Sequence, residues 1–282
     1  AAAIPTIQFG DFEISTSENG VVTVRYLAHS IVCQVALWGP GWTWDINSSL
    51  QTLWPAQTVG DQGVSGSVNT LWGAFTWKEE VLFGSDFVLY EFTMLAESNL
   101  TLEDIAWITA LPVESFAGKE VTAILSDGTS RTVNLRVEHV PGEGGLASYS
   151  NGVAWVVPFG QSLGVVVALF TDAAPQIPLS ATDEREWGGA EYWLRLYHPQ
   201  ESYRLKAGDE VKFYVYLQPY SKSEEYEAAL RRVSGLAYLR GEGVSSSELR
   251  DLLATGQLES RLEQMGKERQ TLLAAYIVAA LT

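Results

Sequence analysis

The residues best suited to chemistry in this chain are tryptophans set beside carboxylates and glycines. Of 10 tryptophans, six fall between residues 38 and 77: Trp38, Trp42, Trp44, Trp54, Trp72 and Trp77. Three of these surround Gly39-Pro40-Gly41 and run into Asp45. That run is loop chemistry, because glycine tolerates positive φ and proline fixes its own φ without offering an N–H. A second segment, Asp183-Glu184-Arg185-Glu186-Trp187-Gly188-Gly189-Ala190-Glu191-Tyr192-Trp193, repeats the combination. An indole offers an apolar face on which the C–H face of a sugar ring stacks, while carboxylates accept hydrogen bonds from its hydroxyls. Trp42, Trp44, Trp54, Trp72, Trp77 and Trp187 are therefore the candidate ligand-binding residues. Acid catalysis on a glycoside needs two carboxyls ~5–10 Å apart, one protonated and one ionised. Glu186 and Glu191 are the candidates for one, Asp45 and Glu79 for the other. The competing reading is structural: indoles capping the end of a large core, and carboxylates on a solvated surface.

Other catalytic patterns are missing. Gly-x-Ser-x-Gly, His-Glu-x-x-His and Gly-x-Gly-x-x-Gly do not occur, and Gly63-Val64-Ser65-Gly66-Ser67 reads as a flexible loop. The three histidines, His29, His139 and His198, have no metal-ligand spacing, and Asp183 to Glu186 lacks the alternating Asp pattern of a calcium loop. No metal and no cofactor are expected. The single cysteine, Cys33, rules out an internal disulfide and reads as a small buried hydrophobe in a strand-like run.

Charge narrows the partners. The chain carries a formal −16 with a pI near 4.6, so nucleic acid and anionic membrane surfaces, both polyanions, are disfavoured. Residues 221–282 hold 8 basic and 9 acidic side chains, so nearly all of the excess lies in residues 1–220. The longest apolar run, Leu272 to Leu281, is shorter than the ~20 residues of a membrane helix. Ala1-Ala2-Ala3 looks like the remnant of a cleaved leader, and secretion is the expectation.

These side chains have to be positioned by β-structure. From residue 7 to about 219, short alternating apolar runs are broken by turn residues, the pattern of an antiparallel all-β domain. Glu18-Asn19-Gly20 predicts a type I′ hairpin and Ser126-Asp127-Gly128 another. The second leads into a predicted strand over 131–140, with Val133, Leu135, Val137 and His139 on one face. After Pro219 the period changes. Ser221-Lys222-Ser223-Glu224 and Ser245-Ser246-Ser247-Glu248 are capping boxes that predict helix starts, and Leu258 to Leu281 predicts a third helix. The expected fold is mainly β: a large antiparallel two-sheet sandwich over 1–220, followed by about three helices over 221–282 packed on it.

The closing run Tyr203-Arg204-Leu205-Lys206-Ala207-Gly208-Asp209-Glu210-Val211, with many strands over about 210 residues before it, resembles the galactose-mutarotase-like supersandwich of aldose epimerases and other carbohydrate-active proteins. The resemblance implies a sandwich and a sugar ligand. The histidine motif of the aldose epimerases has no counterpart, so no epimerase residue is carried over. The expected partner is an oligo- or polysaccharide, bound by a secreted carbohydrate-recognising protein. That protein is either catalytic (a glycoside hydrolase, polysaccharide lyase or sugar epimerase) or a binding domain. The alternative is a non-catalytic structural or interaction domain whose aromatics are all core.

Overall fold

The computed structural model describes residues 4–42, 45–50, 53–60, 62–200 and 202–281, with only the backbone described at 45, 56–59 and 271–281. The strands are β1 Ile7–Phe9, β2 Phe12–Thr16, β3 Val22–Tyr26, β4 His29–Trp38, β5 Asp45–Asn47, β6 Ala56–Gly60, β7 Gly63–Thr70, β8 Gly73–Phe83, β9 Val88–Ala96 and β10 Leu100–Leu102. They continue as β11 Asp104–Pro112, β12 Glu120–Leu125, β13 Ser130–Asn134, β14 Gly145–Gly160, β15 Leu163–Phe170, β16 Ile177–Asp183, β17 Glu191–Tyr197, β18 Tyr203–Leu205 and β19 Glu210–Tyr220. β10 and β18 form a separate antiparallel ribbon.

The other strands belong to one antiparallel sheet curled into two layers. The hinge between layers is β14. Its first half pairs with β16, its second half with β12 and β15, and the register shifts between Tyr149 and Gly152. One layer runs β2-β3-β4-β11-β17-β16, the other β15-β19-β9-β8-β7. Period-2 alternation points one set of side chains from each layer inward. Val88, Tyr90, Phe92 and Met94 of β9 stand opposite Leu217, Val215, Phe213 and Val211 of β19, all in the main core, with the Phe92 and Phe213 rings 5.0 Å apart.

The reverse side of β9, β19 and β15 is also apolar: Leu89, Tyr214, Tyr216, Val166, Ala168 and Phe170. The helices cover it. α1 Val113–Phe116 is a single turn within the β part; α2 Ser223–Gly241, α3 Ser246–Ala254 and α4 Leu258–Leu281 form the C-terminal segment. α2 buries Ala229, Val233, Leu236 and Leu239, each large aliphatic contributing about 1.5–3 kcal/mol of transfer free energy. Arg232 donates to both oxygens of Asp86 at 2.8 Å, and Arg240 to the Thr171 carbonyl at 2.9 Å. Strands covered on both faces explain why β19 is buried almost continuously rather than alternately.

Several local expectations change. In both predicted hairpins only the glycine takes positive φ, 78° at Gly20 and 81° at Gly128, so neither is type I′. Each is a wider turn, and Asn19 is buried, donating to the Ser48 carbonyl. The strand predicted over 131–140 stops at Asn134; Val137 is exposed because the segment beyond Leu135 leaves the sheet. Gly63 to Ser67 is strand β7, paired with β8, not a loop. At α2 the Ser221 N–H and hydroxyl donate to Glu225 rather than Glu224. At α3 the N-cap half of the second box is present, with Glu248 N–H donating to Ser245 Oγ at 3.2 Å.

Candidate functional site

The outward face of β4, β11 and β17 is chemically unlike the rest of the surface. In register, Trp38 stands opposite Asp104, Ala36 opposite Ala106, and Gln34 opposite Ile108. β17 continues the row, with Tyr197, Arg195 and Trp193 opposite Ala106, Ile108 and Ala110. Alternation sends Cys33, Trp107 and Leu194 into the core and leaves this set on the other side. Ala36, Ala106, Ile108 and Ala110 make a small-residue floor, with Trp38, Trp193 and Tyr197 packed along it.

Arg195 is the centre of the face. Its guanidinium lies 5.1 Å from the Trp38 ring centre and 5.2 Å from that of Trp193, a cation held between two indoles. Nη2 donates to Glu184 Oε1 at 3.0 Å and Nη1 to the Tyr197 hydroxyl at 3.4 Å. Its buried Nε–H has no hydrogen-bond partner among the described residues. Glu184 reaches Arg195 from a 3-10 turn, Glu184–Trp187, that ends β16 and also accepts from the Thr182 hydroxyl. Trp193 Nε1–H donates to Glu191 Oε2 at 3.0 Å, and the Tyr197 and Ser180 hydroxyls lie 3.0 Å apart. Asp104 begins β11. Burial pushes its carboxyl up to about 7, with Glu103 adding to the rise, while the Ile105 N–H and Arg195 oppose it.

The residues singled out from sequence distribute differently. Glu191 lies on this face. Trp42 is 49% exposed with its ring 5.5 Å from that of Trp38, so it stands at the edge of the same face. Trp44 lies outside the described residues, as does the Asp45 side chain; the backbone of Asp45 pairs with Trp38. Trp72 is half-buried, packed so closely that a Cβ on Gly39 would lie 2.7 Å from its ring. Trp54 and Trp77 are core, 0% and 2% exposed, with ring centres 5.2 Å apart. Trp77 follows the inward parity of Phe75 and Val81, so neither indole offers a face to a ligand. Glu79 shares that parity and lies between the layers, 1% exposed, its carboxyl pushed up to about 8 by burial.

Glu186 and Trp187 engage a separate neighbourhood. Glu186 accepts the Gly142 N–H at 2.9 Å and lies 3.3 Å from His139 Nε2. Trp187 is 64% exposed and packs on Gly144. Arg185 donates to Asp183 and to the carbonyls of Arg136 and Val137, pinning this loop to the end of β16. Of residues 183–186, Asp183 and Arg185 therefore pair with each other and Glu186 joins them around His139, while Glu184 alone turns to Arg195. Cys33 is buried, its thiol pushed up to about 12 by burial, and His198 is buried against Tyr203 and Thr171, its imidazole pushed down to about 4.

Gln34, Asp104, Arg195 and Tyr197 fall outside the two tryptophan–carboxylate segments of the sequence, and Trp38, Glu184 and Trp193 fall within them without being among the candidate residues. One signal was present: along β17 Glu191, Trp193, Arg195 and Tyr197 alternate with the apolar Tyr192, Leu194 and Leu196. Such alternation says only that the aromatic and charged set shares the strand face opposite the core. Gln34 and Asp104 carry no such local signal, because only cross-strand pairing brings β4 and β11 beside β17.

No family model and no curated protein matches the sequence. Among solved structures, the chain superposes on a Klebsiella pneumoniae protein provisionally assigned as an aldose 1-epimerase, with 9% identity, 82% of this chain and 83% of that one covered, and a TM-score of 0.49. A provisionally assigned aldose 1-epimerase from Escherichia coli K12 gives 10% identity, coverage of 77% and 98%, and a TM-score of 0.48. A galactose mutarotase-like protein from Lactobacillus casei gives 9% identity, coverage of 77% and 100%, and a TM-score of 0.47. At such identities this chain's own side chains have to carry any functional reading.

Proposed function

We propose that the face formed by β4, β11 and β17 is a carbohydrate-binding site. The observation that carries this reading is Arg195, fixed between the Trp38 and Trp193 indoles and tied to Glu184. A sugar needs apolar ring faces for its C–H groups and fixed donors and acceptors for its hydroxyls. Here Trp193 and Tyr197, both half-buried, supply the first, and Arg195, Glu184, Asp104 and Glu191 the second. The buried Arg195 Nε–H has no hydrogen-bond partner among the described residues, and one enclosed water would satisfy it. Calorimetric titration with a panel of saccharides tests this. Binding by the unaltered protein should fall at least about tenfold, or ~1.4 kcal/mol, in Trp193→Ala. Unchanged binding in that variant would move the site elsewhere.

A catalytic reading has one specific support. Asp104 carries a carboxyl pushed up to about 7 by burial, close enough to neutrality to give and take a proton. On this reading Asp104 acts as the acid or base on a bound sugar, at its ring oxygen or glycosidic oxygen. Asp104→Asn should then abolish anomer interconversion or bond cleavage, followed by NMR, while saccharide affinity stays within about threefold, under ~0.7 kcal/mol. No turnover by the unaltered protein would leave a binding domain.

A further inference from the structure

We infer that this site takes the end of a neutral oligosaccharide rather than a single sugar, with the ring beyond the floor stacked on Trp42. The inference rests on the carbohydrate reading above and extends it. Trp42 is half-exposed, yet its backbone has φ 57°, a conformation sterically disfavoured for a bulky L residue and tolerated only where surrounding structure enforces it. That enforcement is visible on three sides. The Trp42 N–H donates to the Gly39 carbonyl at 3.2 Å. The Gly41 N–H donates to Glu103 Oε2 at 3.1 Å. Trp72 packs against Gly39 where no side chain would fit. An exposed indole carried on a backbone held this firmly, with its ring against Trp38, is a preorganised platform, because little backbone freedom remains to be lost when a ligand stacks on it.

Its position is outside the floor but continuous with it. The ring centre of Trp42 is 5.5 Å from that of Trp38, and Trp38 is 6.2 Å from Tyr197. The aromatic row therefore runs from the rim to the Arg195 centre. A monosaccharide seated at Arg195 leaves Trp42 unused, whereas a chain end extends along the row.

Charge selects the class. Arg195 is already paired with Glu184 at 3.0 Å, and Glu191 and Glu103 add carboxyls on the face and its rim. With the whole chain at −16, uronate, sulfated or phosphorylated glycans meet like charge on approach.

The test titrates the full chain with neutral gluco-, xylo-, manno- and galacto-oligosaccharides of one to four units, and with their uronate counterparts. The expected result is affinity rising roughly fivefold to tenfold from one to two or three units, as one aromatic contact would add. Trp42→Ala should lose that gain, keep the monosaccharide affinity and melt at the same temperature; Trp42→Phe should restore part of the gain. Length-independent binding, indifference to Trp42→Ala, or preference for uronates would overturn this inference while leaving the site at Arg195 intact. Absence of binding by every saccharide, charged or neutral, would instead sink the carbohydrate reading and this extension with it.

Discussion

The sandwich has two covered outer faces, and they are covered in different ways. Behind β9, β15 and β19 the cover is α2, α3 and α4, and the contact is apolar: Val166, Phe170, Tyr214 and Tyr216 against Val233, Leu236, Leu239 and Leu249. Behind β4, β11 and β17 the strands are just as deeply buried, but the layer above the alanine floor is aromatic and ionic, with Arg195 and Glu184 among Trp38, Trp193 and Tyr197. The first face gains its free energy by excluding water permanently. The second keeps groups that are expensive to desolvate and leaves one guanidinium N–H without a partner among the described residues. A sheet face that carries such groups in a fixed arrangement contributes little stability for its cost, which is why the proposed binding site is placed there.

The sharpest way to break this comparison is at the helical face. Val233→Asp places a carboxylate where Val233 is fully buried and should lower stability by more than about 4 kcal/mol in urea unfolding. A loss under about 1 kcal/mol would mean that the helices rest loosely on the sheet. Beneath both faces, Glu79 tests the shared core. Its carboxyl stays protonated to about pH 8 in the folded chain against an ordinary 4.5. Below pH 4.5 both states are protonated and the group contributes nothing. Between pH 4.5 and 8 the unfolded chain ionises and the folded one does not, so native stability falls as pH rises and levels off above 8. Glu79→Gln should therefore gain on the order of 3 kcal/mol at pH 7, with the gain vanishing near pH 4. A gain independent of pH would show that Glu79 is already ionised in the core.

At the polar face the pair is expected to matter for the ligand more than for the fold. Replacing both partners, Arg195→Met with Glu184→Gln, should change stability by less than about 1.5 kcal/mol, since removing a buried pair together leaves no isolated charge, while saccharide binding disappears. A double variant that unfolds would reduce the contrast between the faces to one of composition. The smallest effect is expected at the rim: Trp42→Ala should leave thermal stability within about 0.5 kcal/mol, whereas Trp54→Ala, a core indole from the same tryptophan-rich stretch, should cost about 3–5 kcal/mol.

That last pair shows where sequence reading reached and where it stopped. The six tryptophans of residues 38–77 look alike as a cluster, but Trp54 and Trp77 are core, Trp42 is rim and Trp72 is a packing wedge. Tryptophan has the same composition in a core and in a ligand cleft, so only parity and pairing separate the roles. Glu79 is the same case for carboxylates: Lys78-Glu79-Glu80 resembles a solvated edge, and Glu80 does pair with Lys78, while the pleat turns Glu79 inward. Helix starts were easier. Ser245 and Glu248 meet within one turn, and such local hydrogen bonds are written in adjacent residues.

What the sequence by itself determined is the local part: a long antiparallel β region ending near Tyr220, then three helices, with turns at Gly20 and Gly128 and an acidic composition. These follow from alternation, capping and composition, which act over a few residues. The tertiary structure alone decided the site. Trp38, Asp104, Glu184 and Arg195 come from four segments spread over more than half the chain. They meet because β11 pairs with β4 on one side and β17 on the other. Which strand lies beside which is set by the burial of both faces at once, a property of the whole curled sheet that no short stretch of residues encodes.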